Sequence, residues 1–236
     1  LLLGGGEDVY GIGIPIATRG LEVTAGNGIE VKGKVVTDGN VGLFTKNGDI
    51  TVSESGQIYS GIAGEVDLIA GMDVEGSGDV NIDGIVMADT DFGLGAAYVY
   101  AGYGTGDVGA EGGDVKVGNN GFVAAGSLLD VQTMAAGGKV DAADDSMLVA
   151  SRIDYFDASM FVDQGTLNVA AKDGSVDVGR AMLVAQDARF SASGDVIANN
   201  QGNYISGAVS ASGASVKLAN ENGLVLGNVT TDGDLA

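Results

Sequence analysis

The sequence predicts an all-β fold in which short strands stack coil upon coil, a parallel β-solenoid. The first observation is a repeated motif, a small and a polar residue followed by an apolar–polar–apolar triplet. Clear copies begin at Gly48, Gly64, Gly78, Gly113, Gly165 and Gly174. The second observation is that no apolar stripe with the period of about 3.6 residues that marks a helix persists. A turn followed by one short strand, repeated along a chain, is typical of repeat architectures.

The shortness of these strands explains why they should stack. A strand of three to five residues is too short to form a stable hairpin or an independent sheet. Stacked in register, each strand pairs with its equivalents in the coils above and below, about 4.8 Å away. With a repeat of roughly 20 residues, the chain predicts about ten coils and a rod roughly 50 Å long.

The first element along the chain is a lead-in strand or cap segment, predicted at residues 1–20. Val9, Ile12, Ile14 and Ile16 favour strand, and Pro15 limits how centrally that strand can pair. Residues 21–236 are predicted to be the solenoid repeats, with Gly, Asn and Asp at the turns because these residues tolerate positive φ.

The rhythm breaks at about residues 88–112, where tyrosines alternate with glycines. We interpret this stretch as an irregular Gly/Tyr-rich insert, either a looser rung or a loop between rungs. Phe92, Tyr98, Tyr100 and Tyr103 form the predicted contact surface, because exposed tyrosines can stack on sugars or anchor a protein partner. The alternative is that these rings fill the core at an irregular coil.

The composition excludes several kinds of site and partner. The chain has 236 residues, no His and no Cys, so Ser-His-Asp, Cys-His and His/Cys zinc sites are ruled out. The net charge of −21 argues against nucleic-acid partners, whose recognition depends on Lys and Arg. No apolar run approaches the roughly 18 residues of a membrane-spanning helix, and we expect no membrane span in this segment.

The residue before a strand is often acidic, as at Asp79, Asp114 and Asp195. We expect these acids to be solvated turn residues that keep the rod soluble. The weaker alternative is a Ca²⁺ site, because residues 76–82 loosely resemble the nonapeptide calcium repeat. No other cofactor is predicted.

An enzymatic alternative rests on a second group of acids, Asp144, Asp145, Asp154, Asp157 and Asp163. These carboxylates could converge across adjacent coils, as the two carboxyls of a glycosidase must. The polysaccharide hydrolases with β-helix folds also carry a Gly-His-Gly motif, which this chain lacks. We therefore expect that the protein is not an enzyme.

Three stretches, residues 21–31, 175–178 and 224–235, resemble filamentous-haemagglutinin-type repeats, and the resemblance covers most of residues 21–235. Such repeats occur in large exported bacterial surface proteins, including adhesins. The resemblance implies a right-handed parallel β-helix at the cell surface or outside the cell. It also implies a structural and adhesive shaft that contacts a cell-surface or matrix protein or a carbohydrate. The alternative is a self-assembling subunit of an extracellular filament, sheath or surface layer, associating end to end.

Overall fold

A computed structural model describes residues 20–73, 77–90, 93–104, 113–153, 161–162 and 165–236. Within these residues every regular element is a strand, and the strands form three parallel sheets of nine, eight and seven strands. This arrangement confirms the predicted all-β solenoid. No helix occurs in the described ranges, so none there could cross a membrane.

In chain order, the strands are β1 (Gly20–Ala25), β2 (Ile29–Val31), β3 (Lys34–Val36), β4 (Asn40–Thr45), β5 (Ile50–Val52), β6 (Gln57–Ser60), β7 (Val66–Ile69), β8 (Val80–Ile82), β9 (Ile85–Ala88), β10 (Ala96–Ala101), β11 (Val115–Val117), β12 (Phe122–Ala125), β13 (Leu128–Ala136), β14 (Val140–Ala142), β15 (Met147–Ala150), β16 (Arg152–Ile153), β17 (Phe161–Val162), β18 (Thr166–Asp173), β19 (Val176–Asp177), β20 (Met182–Ala185), β21 (Asp187–Ala192), β22 (Val196–Ala198), β23 (Tyr204–Ile205), β24 (Ala208–Gly213), β25 (Val216–Leu218) and β26 (Val225–Thr231).

Successive coils pass through the three sheets in the same order, although, among the described residues, the coil of β24 and β25 has no strand in sheet 3. Sheet 1 contains β1, β4, β7, β10, β13, β18, β21, β24 and β26. Sheet 2 contains β2, β5, β8, β11, β14, β19, β22 and β25. Sheet 3 contains β3, β6, β9, β12, β15, β20 and β23. We call the turn from sheet 1 to sheet 2 the first corner, and the next two turns the second and third corners.

Coil length varies along the rod. Leu21 pairs with Val41 in the first coil, whereas Leu129 pairs with Leu167 near the middle of the chain, a much longer step in sequence. The predicted repeat of about 20 residues therefore holds at the ends of the chain. The central coils are longer because their corners carry excursions, including the antiparallel pair β16 and β17 at the third corner.

The core is a set of stacked columns of small aliphatic side chains. Val41, Val66, Ala97 and Leu129 follow one another across sheet 1 in register, and all are fully buried. Each buried Val or Leu contributes about 1.5–3 kcal/mol. Neighbouring coils lie one strand spacing apart, and valine and alanine are small enough to stack at this spacing in the narrow interior.

Sheet 3 is apolar on both faces across four consecutive coils. Val123 and Ala125 of β12 belong to the core, while Ala124 between them points outward, because successive side chains of a strand alternate. Ala124, Val149 and Val184 are fully buried in a second cluster on this outer face, flanked by Met87, Phe122, Met147 and Met182. The unbroken apolar strings of β9, β12, β15 and β20 carry this feature in the sequence.

The predicted insert at residues 88–112 contains a regular rung. Strand β10 pairs in register with β7 on one side and β13 on the other. The two corners around β10 include residues 91–92 and 105–112, which are outside the described part. Of the lead-in predicted at 1–20, the structure describes Gly20, which begins β1.

Candidate functional site

Strand β10 places two tyrosines on the outer face of sheet 1. Along this strand Ala97, Val99 and Ala101 are buried in the core, so Tyr98 and Tyr100 between them point away from it. Tyr103 follows at the first corner with 44% of its surface exposed. These tyrosines therefore lie outside the core, while Phe92 lies outside the described residues.

The three tyrosines form one continuous row. The rings of Tyr98 and Tyr100 meet edge to face, with centroids 5.9 Å apart and planes at 67°. The rings of Tyr100 and Tyr103 are nearly parallel, with centroids 5.8 Å apart and planes at 6°. Both separations fall in the range of about 4.5–7 Å in which aromatic pairs attract one another. The row is an ordered aromatic surface at the edge of one corner.

Asp130, on the next coil, holds the middle ring in place. The Tyr100 hydroxyl donates to Asp130 Oδ2 at 2.7 Å, and Gln132 Nε2 donates to Asp130 Oδ1 at 2.7 Å. Asp130 is only 8% exposed. Burial and the hydrogen bond to Asp130 strongly raise the pKa of Tyr100, so its hydroxyl remains a donor throughout the neutral range.

Two more acids lie beside the row on the preceding coil. Asp67 is the register partner of Tyr98 on β7, and Glu65 precedes that strand and hydrogen-bonds with Tyr98. Burial, together with the charge of Glu65, raises the pKa of Asp67 to about 6. Burial and the charges of Glu65, Asp130 and Asp67 raise the pKa of Tyr98. The region therefore concentrates negative charge in a partly desolvated place.

We call Glu65, Asp67, Tyr98, Tyr100, Tyr103 and Asp130 the acid–tyrosine patch. The ion pairs of the described residues join Lys32 with Glu30, Lys116 with Asp79 and Asp114, and Arg180 with Asp141 and Asp144. None of these pairs involves a carboxylate of the patch. The described part of the chain thus supplies no counter-cation to its three acids.

A shallow groove extends the patch toward the first coils. It has a volume of about 280 Å³, and its lining includes Glu22, Gly42, Phe44 and Asp67. The ring of Phe44 leans over Gly42, where a Cβ would lie 2.6 Å from a ring carbon. The Phe44 ring therefore occupies the space that a side chain at residue 42, the register partner of Asp67, would fill.

Two of the acids considered as calcium ligands, Asp79 and Asp114, accept main-chain hydrogen bonds, a role that was not predicted from the sequence. Asp49 Oδ1 accepts the Asp79 N–H at 2.9 Å, and Asp79 Oδ1 accepts the Asp114 N–H at 2.9 Å. Asp114 Oδ1 accepts the Lys139 N–H at 2.9 Å. Each carboxylate therefore ties one coil to the next at the first corner, and we call Asp49, Asp79 and Asp114 the Asp ladder.

Lys116 neutralises two acids of the ladder. Its Nζ lies 3.0 Å from Asp79 Oδ2 and 3.2 Å from Asp114 Oδ2. Burial alone would raise the pKa of Asp79, but hydrogen bonds from the Asp114 N–H, Lys116 and the Gly113 N–H outweigh it. The pKa of Asp79 consequently lies below its ordinary value.

Asp195 lies at the equivalent place before β22 and also joins neighbouring coils, but through serine hydroxyls. Its N–H donates to Ser175 Oγ at 3.2 Å, and its Oδ1 accepts from Ser215 Oγ at 2.7 Å. Across the described residues, no three acidic side chains cluster closely enough to hold a metal ion.

The acids of the enzymatic alternative are only partly in view. Asp144 is exposed and lies 4.0 Å from Arg180 Nε, and Asp145 has a positive φ of 61° in the turn between β14 and β15. Asp154, Asp157 and Asp163 lie outside the described residues.

Comparisons with known proteins give no relative for this chain: no family model, no curated protein and no solved structure matches it.

Proposed function

We propose that this chain is a structural and adhesive shaft segment of a bacterial cell-surface or secreted protein, acting by binding and without catalysis. Its partner would be a cell-surface or matrix protein or a carbohydrate. The observation that carries this proposal is the tyrosine row, an ordered aromatic surface on the outside of a stacked-coil rod. The resemblance of residues 21–31 and 224–235 to filamentous-haemagglutinin-type repeats supports the extracellular setting.

The architecture suits a shaft. Each coil contacts mainly its neighbours, so the stability of a solenoid is close to a sum over adjacent coils. Longer corners can then be added without disturbing the sheets, as the excursions of the central coils illustrate. A shaft of this kind can display a contact surface at one height while the remaining coils act as a spacer.

A binding screen tests the proposal. The chain is applied to immobilised extracellular-matrix proteins and a panel of surface glycans, beside the variants Tyr103→Ala and Tyr204→Ala. Tyr204 is the matched control, because it is 36% exposed but lies on sheet 3. We expect Tyr103→Ala to weaken binding and Tyr204→Ala to leave binding unchanged. If no target is bound, or if both variants bind like the parent chain, the proposal is wrong.

A second candidate function is end-to-end assembly into a filament, sheath or surface layer. It is favoured by the parallel sheets, because each coil pairs strand to strand with its neighbours and a second copy can add coils in the same way. Strand β26 also carries exposed apolar side chains, with Val225 59% exposed and Leu226 49%.

Sizing combined with negative-stain microscopy separates the two candidates. Assembly predicts unbranched fibres that lengthen with concentration, and loss of those fibres on Val225→Asp. The display proposal predicts single rods that are unchanged by that substitution.

A further inference from the structure

We propose that the acid–tyrosine patch binds a basic segment of a protein partner, with Arg or Lys side chains seated on the tyrosine row and paired with the neighbouring carboxylates. This inference rests on the proposed function, because it names the chemistry of the partner that the contact surface takes.

The charges of the acid–tyrosine patch favour a cationic partner. At the first corner, Asp79 and Asp114 share Lys116, and on sheet 2 Asp141 pairs with Arg180. Glu65, Asp67 and Asp130 have no such partner among the described residues, although Asp130 is 8% exposed. A cation brought by a partner would be attracted by these carboxylates, because charges in a partly desolvated place interact more strongly than in water.

The tyrosine row also favours a cationic partner. Cations are attracted to the face of a tyrosine ring within about 6 Å of its centroid. The chain itself uses this contact elsewhere, where Lys34 Nζ lies 4.8 Å from the centroid of the Tyr59 ring. None of the described Lys or Arg residues lies over Tyr98, Tyr100 or Tyr103. Tyr103 is 44% exposed, so its ring is open to an incoming side chain.

The patch disfavours anionic partners and suits a neutral sugar only in part. Sulfated glycans and nucleic acids carry dense negative charge and would be repelled by three uncompensated acids and by the net charge of −21. A neutral sugar would stack on the rings but would leave the carboxylates without counter-charge. A planar guanidinium satisfies both parts of the patch, since it stacks on aromatic rings and pairs with carboxylates.

The surroundings of Asp67 add a pH dependence. Asp67 faces Glu65 on its own segment, Glu22 across the groove and Tyr98 on β10, with Asp130 one coil beyond. None of these groups is a cation at neutral pH, and the pKa of Asp67 is raised to about 6. Binding of a basic segment should therefore strengthen as the pH rises through about 6, when Asp67 becomes charged.

The experiment titrates the full chain into a fluorescent peptide of Arg-Gly-Ser repeats and follows anisotropy. The same peptide with citrulline in place of arginine keeps its shape and loses its charge. We expect Glu65→Gln with Asp67→Asn to weaken binding of the arginine peptide about tenfold. Tyr103→Ala should weaken it about two- to fivefold. The citrulline peptide should bind at least about tenfold more weakly than the arginine peptide.

Two control variants separate this site from the general field of an acidic protein. Glu221→Gln with Asp232→Asn removes the same charge from exposed positions near the last coil, and Tyr204→Ala removes a tyrosine from sheet 3. Equal losses in the patch and control variants, or equal binding of both peptides, would overturn the inference. If the chain binds a matrix or glycan target through Tyr103 but not the arginine peptide, the inference fails and the proposed function stands. If Tyr103→Ala changes no binding at all, both fail.

Discussion

The Asp ladder and the acid–tyrosine patch share coils of the rod, and both place carboxylates outside the apolar core. In the ladder every acid accepts a main-chain N–H from the next coil, and Lys116 balances two of the charges. In the patch, Asp67 and Glu65 repel each other and no described cation balances them. Hydrogen bonds lower the pKa of Asp79 despite its partial burial, whereas burial and the charge of Glu65 raise the pKa of Asp67. The acids of the Asp ladder therefore stabilise the rod, whereas the charge of Asp67 lowers the free energy of unfolding.

The difference follows from where each acid sits relative to the strand that it accompanies. An acid just before a strand of sheet 2 meets the free N–H of the equivalent turn one coil later, so its charge is used within the fold. Asp67, inside β7, has its neighbours' backbone groups already paired in the sheet. Its charge can be compensated only by side chains or by a partner.

The largest expected effect tests how tightly the ladder depends on close coil contact. A Cβ at Gly78 would lie 2.4 Å from the Gly48 carbonyl oxygen, whereas a Cβ at Gly26 would meet nothing within 4 Å. Gly78→Ala should therefore lower the free energy of unfolding by about 3 kcal/mol, because the corner cannot relax without separating the coils. Gly26→Ala should stay within about 0.5 kcal/mol of the parent.

Urea titration followed by circular dichroism measures both glycine variants. Equal stability of Gly78→Ala and Gly26→Ala would show that neighbouring coils are not held in close contact at the first corner.

The next effect removes one acid of the ladder. Asp79→Ala leaves the Asp114 and Gly113 N–H groups without their acceptor and Lys116 without a partner on that coil. We expect a loss of about 2 kcal/mol at neutral pH, because two partly buried N–H donors would lose their acceptor. Since the pKa of Asp79 is lowered on folding, this stability is present above about pH 4 and is lost as the pH falls below it.

Thermal melts across the acid range check this dependence on Asp79. Asp232→Ala, at an exposed position of the last coil, is the matched control and should be neutral. Equal sensitivity of the parent chain and Asp79→Ala to acid would mean that Asp79 contributes no ladder stability.

The third effect has the opposite sign. Above about pH 6 Asp67 is charged in both the folded and the unfolded chain, and the folded chain bears the burial and the repulsion from Glu65. Below its ordinary value of 3.8 the group is protonated in both states, so the cost disappears. Asp67→Asn should therefore stabilise the protein by about 1 kcal/mol at about pH 7.5, after allowance for solvent screening, and by nothing at about pH 3.5.

Urea titrations of Asp67→Asn at the two pH values measure this gain. A variant that is less stable than the parent at neutral pH would show that the Asp67 carboxylate is compensated in the fold.

The stacked strands could be predicted from the sequence more readily than the acid–tyrosine patch. The alternation around Tyr98 and Tyr100 is visible within β10 itself, so both rings could be assigned to one face. Their partners could not, because Asp67 on β7 lies a whole coil earlier in the chain and Asp130 on β13 a whole coil later. Both of these coils are longer than the first coil, which joins Leu21 to Val41. Which residues become neighbours on adjacent coils depends on how many residues each corner adds, and the repeated motif does not give that number.

The role of the ladder acids was missed for a related reason. Asp49, Asp79 and Asp114 each precede a strand of sheet 2, a position that the repeated motif revealed. Their uneven spacing along the chain gave no indication that they stack directly. Stacked like charges should repel, and the lysine that offsets this repulsion follows Asp114 on the outward side of β11. A pattern of acid, apolar residue and lysine at one coil is the signal that could have indicated the compensated ladder.

The smallest effect tests that compensation directly. Lys116→Gln should lower the free energy of unfolding by about 0.5 kcal/mol, because the side chain is 48% exposed and surface ion pairs contribute little. Lys217→Gln, on the outward side of β25, makes the same change of charge away from the ladder and should have a smaller effect. The difference between the two variants should shrink in about 1 M salt, where charges are screened within about 3 Å. A difference that persists in high salt would mean that Lys116 acts through packing of its stem on sheet 2, and the contrast between ladder and patch would then rest on the main-chain hydrogen bonds alone.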